Sequence, residues 1–232
     1  DRHANPSNSS PNSVLENGEV ATIEPSYTNG DSIPVSMTGA ATAFTGPGVG
    51  ATYSMIDTSA DYGMTAPDAT NPCFDATGNC FTVQVFASPR PSLHWDATFQ
   101  ETLSDTSVRS WPVHVGRSFS DVPSTRGDYR YVETVLHRGL TSGCGGNVYC
   151  PENQVSRAQM AVLLLRAEHG AAYVPPSATG QVFDDVPANA FAAAFIERLA
   201  AEGVTAGCGT GANYCPNAPV TRAQMAVFLL KT

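Results

Sequence analysis

The 232 residues suffice for two ordinary domains, and a hydrophobic share of 42% against 14% charged residues suits a globular chain of strands and turned loops. A net charge of −9, with only 12 Lys and Arg, argues against nucleic acid and anionic lipid as partners, because phosphate contacts need clustered cations. No apolar run approaches the roughly 20 residues that cross a bilayer, so no transmembrane segment is expected.

Residues 1–18 are rich in Ser, Asn and Pro and keep no period, which predicts a flexible or partner-ordered N-terminal arm. Alternation then takes over. Ile33, Val35 and Met37 share one predicted strand face; Phe81, Val83 and Val85 share another, followed by Trp95, Ala97 and Phe99 and by Trp111, Val113 and Val115. Turn signals at Asn29-Gly30-Asp31, Thr45-Gly46-Pro47-Gly48 and Pro89-Arg90-Pro91 separate them, so residues 19–116 read as a β-sandwich domain of short antiparallel strands.

After Gly116 the chain is duplicated. FSDVPSTRGDYRYVETVLHRGLTSGC (residues 119–144) aligns without a gap on FDDVPANAFAAAFIERLAAEGVTAGC (183–208), and YCPENQVSRAQMAVLLL (149–165) aligns on YCPNAPVTRAQMAVFLL (214–230). The copies span 117–170 and 183–232, joined by a linker over 171–182 that carries Pro175, Pro176 and Gly180. Within each copy the period becomes helical: Val132, Val135, Leu136 and Leu140 form one stripe, Ile196, Leu199, Ala200 and Val204 its counterpart. The second helix of each copy opens on a capping box, Ser156 with Gln159 and Thr221 with Gln224. One such unit buries little by itself, so the copies are expected to pack together and with something further.

Six cysteines fall into close pairs, Cys73 with Cys80, Cys144 with Cys150, and Cys208 with Cys215. Each pair brackets a Gly- or Asn-bearing loop, which predicts three disulfides and an extracellular setting. A zinc reading of the cysteines fails on spacing, since five or six intervening residues exceed the usual two to four.

Little suggests turnover chemistry. Gly30-Asp31-Ser32-Ile33 resembles the nucleophile block of one esterase family, but it sits in a turn signal and no Asp-x-x-His follows. His94 and His114 fall in strands, His137 and His169 in the copies, and their spacing makes no metal pair, so neither catalytic nor metal-binding residues are assigned. Asp75, Gly78 and Asn79, or Asp184 with Asp185, offer oxygens to calcium, although turn formation and helix N-terminal charge account for them equally well. No cofactor is expected.

A unit that opens F-x-D-V-P, runs through an amphipathic helix to G-[LV]-T-x-G and ends on V-[ST]-R-A-Q resembles the S-layer homology family over nearly all of residues 119–230. The residues ahead of it bear a weaker resemblance to Ig-like modules of bacterial surface proteins. Together these imply an α+β multidomain chain, with an N-terminal all-β Ig-like sandwich followed by an all-α repeat domain. The resemblance assigns polymer binding or assembly to Arg157 and Arg222; Gln159 and Gln224 stand where the family usually has an acid. It implies a non-catalytic protein on the outside of a bacterial cell. Such a protein attaches to cell-wall polymer or joins copies of itself into a surface layer or filament through the repeats and the N-terminal arm. The alternative is the β and wall-anchoring end of a larger secreted hydrolase.

Overall fold

The structure, a computed structural model, describes the backbone of Arg2 and His3 and all of residues 12–232; half of the expected arm, residue 1 and residues 4–11, therefore lies outside the described residues. The chain divides into two compact units, residues 1–137 with 143–149, and residues 138–142 with 150–232. The division runs through the first copy of the duplication.

In the first unit the strands are β1 (Arg2–His3), β2 (Val20–Ile23), β3 (Ser26–Thr28), β4 (Val35–Thr45), β5 (Thr52–Asp57), β6 (Ser59–Thr65), β7 (Thr70–Pro72), β8 (Phe81–Phe86), β9 (Asp96–Leu103) and β10 (Val108–His114). A short α1 (Cys73–Ala76) precedes β8, and α2 (Tyr129–His137) follows β10. Among the described residues the strands make two antiparallel four-stranded sheets, ordered β1-β2-β8-β5 and β10-β9-β4-β6, and a two-stranded sheet of β3 and β7.

The four-stranded sheets face each other across one core, because a pleated strand sends alternate side chains to the same side. Phe81, Val83 and Val85 come from one sheet and Ala97, Phe99 and Val113 from the other, with the Phe81 and Phe99 rings 5.2 Å apart. Ile33 does not join the strand face it was expected to share; it lies exposed ahead of β4. In β4 the register shifts between Thr42 and Thr45, with Ala43 at φ 41°, and this extra residue turns Phe44 inward where strict alternation would leave it outside. Leu15 packs here too and bridges Val115, while its neighbour Val14 is buried in a separate core with α2. The expected turn at Asn29-Gly30-Asp31 is held by the buried Asn29, which donates to the Ile33 and Thr65 carbonyls and accepts from the Asp31 amide.

The second unit holds α3 (Arg157–His169), α4 (Ala193–Ala201) and α5 (Arg222–Lys231), around a core that includes Leu164, Leu165, Ile196, Leu199, Tyr214 and Phe228. The expectation of an all-α repeat domain behind an all-β Ig-like sandwich is therefore corrected. Strand outweighs helix in the chain, and the repeat region is not all-α. The reason is local: α2 and α4 run only nine residues each before the left-handed Gly139 and Gly203, and much of each copy is then spent on turns and isolated β-bridges.

One buried charge is set within the sheets. Glu101 accepts from the Tyr62 hydroxyl and, at 2.7 Å, from Trp111 Nε1, and its carboxylate lies against Gly39 on the neighbouring strand. Burial, followed by the contact with Glu101, pushes the Tyr62 phenol above its ordinary range, so it stays a donor. A Cβ at position 39 would collide with this carboxylate. Gly39→Ala is expected to destabilise the chain by about 1–3 kcal/mol, as overpacking does. Urea denaturation measures it, and a variant as stable as the parent would mean that Glu101 moves aside freely.

Candidate functional site

The two copies build the same local structure from the same residues. In the F-x-D-V-P opening, the Asp121 carboxylate accepts from the Tyr149 amide at 2.8 Å; Asp185 accepts from the amides of Tyr214 and Cys215, each at 2.7 Å. The opening Phe packs on that same Tyr, Phe119 with Tyr149 at 5.3 Å and Phe183 with Tyr214 at 5.4 Å between ring centroids. Gly143 and Gly207 both have positive φ, and a Cβ on either would strike the carbonyl of Val148 or Asn213. The loops are closed by sulfur: Cys208 bonds Cys215 and Cys73 bonds Cys80, while Cys144 and Cys150 are disulfide-bonded as well. Both oxygens of Asp185 are thus engaged by backbone, and Asn79 accepts from the Ser59 hydroxyl at 3.3 Å, which are structural roles for two residues weighed as calcium ligands.

Ser156 and Thr221 cap α3 and α5, each accepting from the amide of Gln159 or Gln224, whose side chain reaches back to the cap amide. Both glutamines are exposed. The arginines that follow the caps part company. Arg157 is buried: Nε donates to the Tyr214 carbonyl at 2.7 Å and the guanidinium to the Gly207 carbonyl at 3.0 Å, and it stacks over the Tyr214 ring at 4.6 Å. Burial, partly offset by this cation, pushes the Tyr214 phenol up to about 12, and its hydroxyl donates to the Arg157 carbonyl. Arg222 is exposed.

The rest of the helix pair shows the same split. Leu164 and Leu165 of α3 are 5% and 0% exposed, whereas their counterparts Leu229 and Leu230 of α5 are 64% and 89% exposed. The loop of the second copy covers α3; among the described residues nothing equivalent covers α5. Correspondingly, Tyr214 is fully buried while Tyr149, its equivalent in the first copy, is half-buried.

The segment ahead of the second copy is clamped to α4. Glu197 accepts from the Thr179 amide at 2.8 Å and the Gly180 amide at 2.7 Å. Desolvation alone would raise its pKa, but the Thr179 and Gly180 bonds outweigh it and hold the carboxyl below its ordinary value. Nearby, His169 Nε2 and Arg198 Nε meet the Glu202 carboxylate at 2.9 and 2.5 Å.

A further cluster, to which no role was given from sequence, gathers in the first unit. His94, His114 and His137 converge on Asp96. Desolvation of His114 opposes its charged form, yet its bonds to Asp96 and Glu133 leave its pKa raised; the same contacts keep Glu133 and Asp96 below the ordinary carboxylate range. Spacing along the chain hid this cluster. The one sequence signal was the hairpin: pairing outward from the turn at Asp105 places His114 opposite Asp96.

The S-layer homology domain model matches residues 118–161 and 182–226. No curated protein and no solved structure matches the chain. The two matched segments coincide with the duplicated copies.

Arg157→Ala should strip donors from two carbonyls, each costing about 1–3 kcal/mol when left buried and unmet. Arg222→Ala, at an exposed position, is expected to stay within about 0.5 kcal/mol of the parent. Chemical denaturation followed through the second unit separates the two. For Glu197, whose folded pKa lies below its unfolded one, the contribution to stability is complete above the unfolded value, about 4.3, and is lost as pH falls through the folded value. The gap in thermal midpoint between the parent and Glu197→Gln should therefore narrow on acidification; a gap independent of pH would contradict the clamp.

Proposed function

From its two S-layer homology repeats, modules that anchor proteins at the bacterial cell surface through the cell wall, we propose that this is a non-catalytic extracellular structural protein whose repeats also join one copy to the next. The observation that carries the joining step is the unequal burial of α3 and α5. The same helix, with the same cap, buries Leu164 and Leu165 in the first copy, whereas in the second Phe228 reaches the core but Leu229 and Leu230 stay exposed. α3 is covered by α4 and, over its first turn, by the loop of a repeat, with a Tyr carbonyl receiving the arginine. The occupant that suits the exposed side of α5 is thus the loop of another repeat, and this reading takes it to be the loop around Tyr149 of a second molecule, with Arg222 taking the place of Arg157.

Such a contact uses different surfaces on the two partners. Heterologous association of this kind closes into a ring or continues as an open filament, and either suits a surface layer. Arg157 is enclosed by protein and Arg222 is given to the joining contact, so contact with wall polymer falls to exposed groups such as Gln159.

Sedimentation velocity tests the joining step. The parent is expected to show species that grow with concentration, and Leu230→Glu to remain monomeric with an unchanged circular dichroism spectrum. A parent that is monomeric throughout, or a variant that assembles equally well, would refute head-to-tail contact. Co-sedimentation with cell-wall sacculi tests anchoring independently, because Leu230→Glu should still bind them.

A further inference from the structure

The geometry points to a binding site for one zinc-class divalent cation, formed by His94 Nε2, His114 Nδ1, His137 Nδ1 and the Asp96 carboxylate, which fastens the end of α2 to the β9–β10 hairpin. All four ligand groups belong to the first unit. Asp96 is the first residue of β9 and lies opposite His114 at the end of β10, while His94 precedes β9 by two residues and His137 ends α2.

The ligand atoms all lie within 4.8 Å of one another. The Asp96 carboxylate is 3.0 Å from His94 Nε2, 2.7 Å from His114 Nδ1 and 3.0 Å from His137 Nδ1. Around a tetrahedral zinc with ligands at about 2.0–2.1 Å, neighbouring donors sit about 3.3 Å apart, so small side-chain rotations complete the shell. Three imidazoles and one carboxylate are a zinc-type donor set. Calcium and magnesium favour shells of oxygen, and thiolate does not compete because no cysteine is free.

The surroundings of His114 are those of an oriented ligand. Its ring is 1% exposed, and the nitrogen turned away from the cluster faces Glu133 Oε2 at 2.9 Å. Glu133 is itself fixed by the Ser118 amide at 2.9 Å and the Ser118 hydroxyl at 2.7 Å. A carboxylate behind the ring selects the tautomer and aims the other nitrogen, the arrangement that tunes histidine ligands in metal sites. With Nε2–H given to Glu133, Nδ1 of the neutral ring offers its lone pair to a cation, which takes the place of the proton that otherwise joins Nδ1 to Asp96. On the opposite side the His94 ring is 43% exposed, which leaves the cluster open to an entering ion.

A cation held here also accounts for Glu133, a carboxylate on the apolar stripe of α2 where the helical period alone calls for a hydrophobic residue. The site is independent of how α5 is covered.

The test is titration of the chelator-stripped full chain with Zn²⁺ and with Co²⁺. One equivalent should bind, the cobalt form should show the intense visible bands of a tetrahedral ion, and the thermal midpoint should rise. His94→Ala, at an exposed position that the fold tolerates, and His137→Ala should each lose the stoichiometric cobalt spectrum. Glu133→Gln should weaken binding by about 10–100-fold, as loss of an outer-shell partner does. His169→Ala, in the separate Glu168, His169 and Glu202 group, should bind as the parent does. Absence of one-to-one binding by the folded parent, or binding unchanged by both His94→Ala and His137→Ala, overturns the site.

Discussion

A helix, loop, helix module of some fifty residues cannot cover both sides of its second helix, and most of the repeat region is shaped by that constraint. In the first copy the shortage is met within the second unit: the loop of the second copy closes over α3, and Arg157 is drawn in with the apolar stripe. Burying a guanidinium is unfavourable unless its donors are used, and here they meet main-chain carbonyls and an aromatic face. An identical arginine one repeat later faces water. Burial of a motif residue is thus set by the surface that meets it, and not by the motif.

The loop that performs this covering is made rigid in an economical way. An aspartate two residues after the opening Phe accepts from the amide of the tyrosine beside the disulfide, and the Phe ring packs on that tyrosine. The F-x-D-V-P opening therefore shapes the covering surface. Its aspartate acts by organising backbone, while the tyrosine carbonyl it positions is the group that reaches the neighbouring arginine.

The other end of the first copy is organised by electrostatics. Val132 and Leu136 of α2 pack with Val14, Phe119 and Tyr129, a core of its own beside the sheets. Glu133 on the same helix is admitted to this apolar setting because His114 and Ser118 meet it there. Without those partners a buried carboxylate would be strongly unfavourable. The polar cluster and the short helix thus stabilise each other, and the convergent histidines stand where they meet.

The sequence alone determined the elements whose cause is local or periodic. Phe81, Val83 and Val85 alternate into the core, both capping boxes form from four neighbouring residues, the cysteine pairs close their own loops, and the duplication is visible in its letters. It erred at Ile33, which lies exposed ahead of its strand, and at the short helices that leave the repeat region far from all-α; the Ala43 bulge it did not foresee. Tertiary structure decided which of two identical arginines is enclosed, and brought His94, Asp96, His114 and His137 together from separate elements of the fold. Those outcomes depend on which surfaces meet after the elements form, and a local pattern of residues carries no information about its eventual neighbours.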